Sequence, residues 1–261
     1  MKRKTIQFSV VGVIAYLFFL VTQIPAIYVI SVVESGFDNN PPVKLYGVDG
    51  TVWQGQAAAA RIEGRMFTDV SWDLKPSALL LGSLSASFGI RNNDGHIQAD
   101  VSRSFLGNIQ LTDVQGRLAA SDLLTLLKIP AIKLEGQFGF NLSELVLSDN
   151  KVTYAEGRIV WNGAATQFPQ KLQLGDLAID INSDDEGIKA HLKDSGGPLD
   201  ATGLLTLDDT GAYKFSGKFA ARDGRNSSLA RSLNMMGRPG ADGKIELVNV
   251  GNLADFGFFV Q

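Results

Sequence analysis

From Phe8 to Val33 the chain carries no charged residue over 26 consecutive positions, FSVVGVIAYLFFLVTQIPAIYVISVV. About 20 apolar residues cross a bilayer as a helix. Lys2, Arg3 and Lys4 precede the run and Glu34 follows it. Basic residues stay on the cytoplasmic side of a first span. The reading is a cytoplasmic basic head at 1–7, a transmembrane helix at 8–33, a short linker at 34–42 and an exported β domain at 43–261. Asn39, Asn40, Pro41 and Pro42 mark the linker. A cleaved signal peptide has a shorter apolar core and a small-residue cleavage site. This run is too long and no such site follows, so a retained anchor is expected. Thr22, Gln23 and Pro25 interrupt its outer third, where a kink is tolerated.

Composition narrows the exported region. Three of the 24 basic residues lie in the head, leaving 21 against 27 acidic ones. No basic domain remains to grip phosphates, so nucleic acid is not an expected partner. The chain has no Cys, which excludes thiol catalysis, disulfides and Cys-ligated metals. Asp outnumbers Glu by 20 to 7 and Gly reaches 28. Asp and Gly favour turns while Glu favours helices, so a turn-rich β protein is expected.

Alternation supports that class. In Ser83–Ile90, Leu84, Ala86, Phe88 and Ile90 share one face and the serines the other, the period of a half-buried strand. Asp94-Gly95 is a hairpin turn signal, followed by a strand at His96–Val101. The same grammar recurs at Leu174–Ile181 and Ile188–Leu192 around the turn Ser183–Gly187. It recurs again at Gly203–Leu207 and Ala212–Ala220 around Asp208–Gly211. Consecutive hairpins make an antiparallel meander, possible in a curled form. Short helices are expected at Pro76–Leu81, at Ser121–Lys128 and at Ser227–Met236, the last with Leu229, Leu233 and Met236 on one stripe. GTVWQGQA at Gly50 and GRIVWNGA at Gly157 form a weak internal echo. Gly116, Gly136 and Gly203 each begin a G-x-Φ-x-Φ pattern, with Φ apolar, as strands starting after turn glycines would.

Gly47–Gly55 (GVDGTVWQG) and Trp72–Gly82 (WDLKPSALLLG), set behind a basic head and a single anchor and before a β-rich tail, resemble the type II secretion system protein N family. The resemblance covers nearly the whole chain, although the C-terminal half matches only in character. It implies an inner-membrane accessory protein of the machine that moves folded proteins from the periplasm across the outer membrane. Its partners would be other type II secretion components, and its β domain would be periplasmic. The same Gly-Thr-Trp-Gly and Trp-Leu-Pro features resemble AsmA-like proteins, whose sheets curl into lipid-holding grooves. That implies a lipid-binding or lipid-transfer module as the alternative.

The remaining motifs read as structure. Asp194–Pro198 (DSGGP) resembles the nucleophile loop of trypsin-like proteases. Lys193 stands where that family has an oxyanion-hole Gly, and neither His96 nor His191 lies in a matching motif, so a polar loop is expected. Asp184, Asp185 and Glu186 lack the spacing of a Ca²⁺ loop and read as a solvated turn. Trp53, Trp72 and Trp161 are expected in the core with their N–H groups satisfied. Phe256–Val260 is expected to add a strand. No catalytic residue, metal site or cofactor is expected, and the protein reads as non-enzymatic.

Overall fold

The computed structural model describes residues 16, 19–35, 43–62, 64–79, 81–92, 95–105, 107–126, 133–148, 151–167, 171–222 and 227–253. The chain divides into two compact units, Met1–Asn92 and Asn93–Gln261. Within each, strands neighbour one another in chain order and pair antiparallel, as consecutive hairpins dictate.

The first unit holds helix α1 (Ala26–Ser35), then β1 (Val43–Gly50), β2 (Gln54–Ile62) and β3 (Arg65–Leu74). A single helical turn, α2 (Pro76–Leu79), leads to β4 (Ser83–Asn92). Tyr46 lies opposite Ala59, Ala60 opposite Phe67, and Trp72 opposite Phe88. Ala57, Ala60 and Val70 are buried at the centre of one sheet face, with Leu45, Ile62, Trp72 and Ile90 packed around them.

The second unit runs β5 (Gly95–Ser104), β6 (Ile109–Ala119), α3 (Ala120–Leu126), β7 (Leu134–Ser148) and β8 (Lys151–Thr166). It continues through β9 (Leu172–Asp184), β10 (Gly187–Asp194), β11 (Leu199–Leu207), β12 (Ala212–Ala221), α4 (Ser228–Met236) and β13 (Ile245–Asn252). Helix α4 covers one end of the sheet. The Ser227 hydroxyl caps it by accepting the Ala230 N–H at 3.1 Å. Leu229 and Leu233 then join Leu177, Leu199, Ala201 and Ile245 in the main core. Trp161 stacks on Phe138 with ring centroids 5.1 Å apart and donates its indole N–H to the Glu135 carbonyl at 2.9 Å.

The hairpins expected around Ser183–Gly187 and Asp208–Gly211 are present, and their strands extend a few residues beyond the alternating stretches that announced them; the expected turn at Asp94 lies outside the described residues. Two expectations change. Met236 is exposed rather than part of the buried stripe of α4, because Gly237 ends the helix on the Leu233 carbonyl before that side chain reaches the sheet. Gly116 and Gly203 lie inside β6 and β11 rather than at strand starts. At Gly116, φ is +150° and a Cβ would run into the His96 carbonyl of the neighbouring strand, so the glycine serves close strand approach. Of the uncharged run, positions 16 and 19–33 are described, and the interruption expected at Thr22–Pro25 is there. The described part is not one continuous helix: it is helical at 19–22, turns at 23–25 and resumes as α1. No helix among the described residues is long and apolar enough to cross a membrane. Phe256–Val260 and the outer part of the expected 121–128 helix lie outside the described residues.

The packing of α4 generates a prediction. Leu233→Ala should lower unfolding stability by about 2–5 kcal/mol, the range for truncating a buried leucine. Met235→Ala, on the helix's exposed side, should stay within about 0.5 kcal/mol. Chemical denaturation of the two purified variants measures both.

Candidate functional site

The tight connection between β1 and β2 is the most elaborately bonded piece of the first unit. Gly50 pairs with Gly55 across it. The Thr51 N–H closes the turn on the Gln54 carbonyl at 2.9 Å, and the Thr51 hydroxyl accepts the Gln54 N–H at 3.1 Å. With its own hydrogen bonds made locally, the loop points other groups at two neighbours.

One neighbour is the interruption in the uncharged run. In a continuous helix the Val21 carbonyl would accept from residue 25, but Pro25 has no N–H to give. The Trp53 indole N–H reaches that carbonyl instead, at 2.8 Å, beside a longer 3.5 Å bond from the Ile24 N–H. The Val52 N–H donates to the Ile24 carbonyl at 2.9 Å, and Pro25 bridges antiparallel to Thr51. The other neighbour is β3. The Trp72 indole N–H is shared between the Thr51 and Val52 carbonyls, at 3.3 and 3.1 Å. The Leu74 N–H donates to the Trp53 carbonyl at 2.6 Å. Gly55 makes this possible: a Cβ there would collide with the Trp72 ring. GVDGTVWQG and WDLKPSALLLG, remote in sequence, therefore build one clasp that grips residues 21–25.

Beyond the clasp, α1 runs over the sheet and leaves a cleft of about 320 Å³. Val29 and Ile30 line it from the helix, and Leu45, Ile62, Phe88 and Ile90 from the strands. Every lining side chain is apolar. Ala60, on β2, contributes only a methyl group to its wall. Such a cleft can hold an apolar chain or side chain. It offers no donor, acceptor or titratable group for chemistry.

The other sequence motifs are used structurally. Asp194 of DSGGP has a side chain only 9% exposed. It accepts from the Arg222 guanidinium at 2.6 Å, the Ala201 N–H at 3.0 Å and the Gly196 N–H at 2.9 Å. The same Arg222 nitrogen also donates to the Gly197 and Leu199 carbonyls. The loop is thus braced across β12, and Arg222, with the loop's own amides, holds the Asp194 carboxyl well below the usual carboxylate range. Ser195 is exposed, and so are His96 and His191. In the turn at 184–186, the Lys189 ammonium sits 2.7 Å from both Asp184 and Glu186, so a side chain already supplies the cation. That contact lowers the Asp184 pKa and raises that of Lys189. Among the described residues no group of three or more His, Asp or Glu is placed to hold a metal ion. All three tryptophans have satisfied N–H groups and are half-buried; Trp72 and Trp161 pack against the two cores as expected, whereas Trp53 stands in the clasp and joins neither core cluster.

Sequence reasoning placed a kink at Thr22–Pro25 without its partner. The signal was available: an indole donor in GTVWQG and a proline that orphans a carbonyl. Arg222 left no local signal, since it lies 28 positions from Asp194 and is aligned only by strand pairing.

A family model described as type II secretion system (T2SS), protein N, matches residues 41–248. The type II secretion system protein N of Vibrio cholerae serotype O1 is 27% identical over 215 residues, covering 81% of this chain and 85% of that protein. The type II secretion system protein N of Aeromonas hydrophila is 26% identical over 259 residues, covering 95% of this chain and 98% of that protein. No solved structure matches significantly.

The Asp194 brace has a pH signature. A carboxyl whose folded pKa is depressed stabilises fully above its unfolded value, about 3.9, and that contribution is lost as pH falls below it. Stability of the wild-type protein should therefore drop below about pH 4. Asp194→Asn should be less stable at neutral pH and should show a flatter acid limb. Ser195→Ala, in the same loop, should follow the wild-type profile. Denaturation midpoints from pH 7 down into the acid limb measure all three.

Proposed function

We propose that this chain, which belongs to the type II secretion system protein N family, is a non-enzymatic inner-membrane accessory component of that system. It helps folded proteins leave the periplasm across the outer membrane, and it acts through protein contacts with other type II secretion components. The N-terminus is cytoplasmic, the uncharged run is a single-pass anchor, and residues 43–261 are the periplasmic β region. Lys2–Lys4 ahead of the run support that orientation.

One observation carries the reading. The two segments that resemble the family are the two halves of the clasp, and what they grip is the end of the uncharged run. Their chemistry is spent on joining a membrane segment to a sheet, and none is left pointing at a substrate. Contact surfaces are available beside it. Leu79, Leu81 and Leu84 are exposed at the WDLKPSALLLG corner. Among the described residues β13 has a single strand neighbour, and Val248 and Val250 on it are exposed. Such an edge can accept an added strand from a partner.

The apolar cleft favours a second reading, lipid binding by the first unit. One strain separates the two. Deleting the gene should leave folded exoprotein in the periplasm, at least partly, with an intact outer membrane. The protein purified from its source membrane should carry no stoichiometric lipid after detergent exchange. Normal secretion together with stoichiometric bound lipid would replace the secretion role with the lipid one.

A further inference from the structure

Helix α1 is mostly apolar: up to Val33 its one polar residue besides Tyr28 is Ser31, and Glu34 and Ser35 close it. Ala26, Val29 and Ile30 face the sheet and line the cleft. Ile27, Tyr28 and Val32 fall on the opposite side of the helix and are 53%, 68% and 70% exposed. A surface helix in water carries mainly polar residues on its outer face; here that face is led by Ile27, Tyr28 and Val32, with the Ser31 hydroxyl turned back onto the helix. Large apolar residues on both faces call for two apolar surroundings, and the sheet supplies one of them.

We propose that the lipid bilayer supplies the other: α1 lies along the membrane surface, with Ile27, Tyr28 and Val32 in the interfacial layer and the sheet of the first unit resting on its back. This rests on the anchor reading above, with the crossing narrowed to Phe8–Ile24, the part of the uncharged run ahead of Pro25, which is at the short end of the range for a helical span. The bilayer is chosen over a protein partner because of continuity. Phe19, Leu20, Val21 and Ile24, just upstream in the same uncharged run, are also apolar and exposed. An anchored run therefore delivers the membrane to this face whatever else binds the protein. Length argues the same way. Ten residues of helix span about 15 Å, half of the roughly 30 Å hydrocarbon core, so α1 cannot itself cross. The clasp at 23–25 redirects the chain before α1 begins. The hydroxyls of this stretch are prepared for a place without water. Thr22 donates to the Phe19 carbonyl and Ser31 to the Tyr28 carbonyl, both at 2.9 Å. Groups in hydrocarbon must be satisfied internally in this way. Tyr28 has the amphipathic ring favoured at the headgroup level.

The chain contains no Cys, so single-cysteine labelling has no background. Ile27→Cys, Tyr28→Cys and Val32→Cys, with Val248→Cys as the water-exposed reference, are labelled with a fluorophore in the full-length protein. Each is reconstituted into vesicles of phosphatidylethanolamine and phosphatidylglycerol. Labels at 27, 28 and 32 should be quenched several-fold more by bromine on the acyl chains than by aqueous iodide, and the label at 248 should show the reverse. Iodide-accessible labels at 27, 28 and 32 in protein that floats with the vesicles would overturn the inference and leave the anchor standing. Labels shielded from both quenchers, with Val32→Cys cross-linking between copies, would assign the face to a second copy and also overturn it. Protein that does not float at all would overturn the anchor reading and this inference together.

Discussion

Proline has no N–H, and placing it at position 25 leaves the Val21 carbonyl without the donor that a continuing helix would provide. The rest of the first unit is arranged around that deficit. The Trp53 indole fills it, the Val52 N–H takes the next free carbonyl, and Pro25 settles against Thr51. Trp53 can reach only because the loop is held tight by Thr51. That loop is held in turn by Trp72 lying over Gly55, where a side chain would collide with the ring. A buried or half-buried polar group left unpaired costs about 1–3 kcal/mol. A break in an apolar run is therefore stable only where something meets its orphaned groups. Here the sheet meets them, and residues 21–25 and the first β unit become one body.

That junction decides the course of α1. Once the chain has turned at 23–25, the helix starts against the sheet and buries Ala26 there. An apolar cleft remains between the helix and the strands, with Ala60 among its walls. The second unit solves a different problem. Its long meander has one end sealed by α4 over Leu177, Leu199, Ala201 and Ile245. Its DSGGP loop is drawn onto β12 by Arg222, whose guanidinium satisfies a carboxylate and two carbonyls at once. A motif that resembles catalytic machinery is here a bracket between neighbouring strands.

Much of this was legible in the residues. Alternation located β4, β9, β10, β11 and β12, because each has one apolar face and turns rich in Asp and Gly at its ends. Ser227 and the spacing of Leu229 and Leu233 located α4. The 15 and 16 residues of β7 and β8 were harder. Register shifts near Gly136, Ser143 and Gly163 change which face successive residues occupy, and a strict period of two fails there. The echo between GTVWQG and GRIVWNG has no structural counterpart. Trp53 stands in a loop and reaches a helix end, whereas Trp161 stands in a strand and stacks on Phe138. The clasp itself was half legible: the kink at Pro25 shows in the sequence, but its partner lies 28 residues further on and only the fold brings the two together.

The central claim is that the clasp is a formed, persistent structure joining residues 21–25 to the sheet. Amide hydrogen exchange at Val52 in the full-length protein tests it directly, because that N–H has its only assigned acceptor in Ile24. The account predicts exchange as slow as that of the β1–β2 ladder amides in the wild type. Trp53→Phe, which removes the indole donor to Val21, should speed exchange at Val52 while the β12 amides keep their wild-type rates. Exchange at Val52 at the rate of an open loop in the wild-type protein would contradict it.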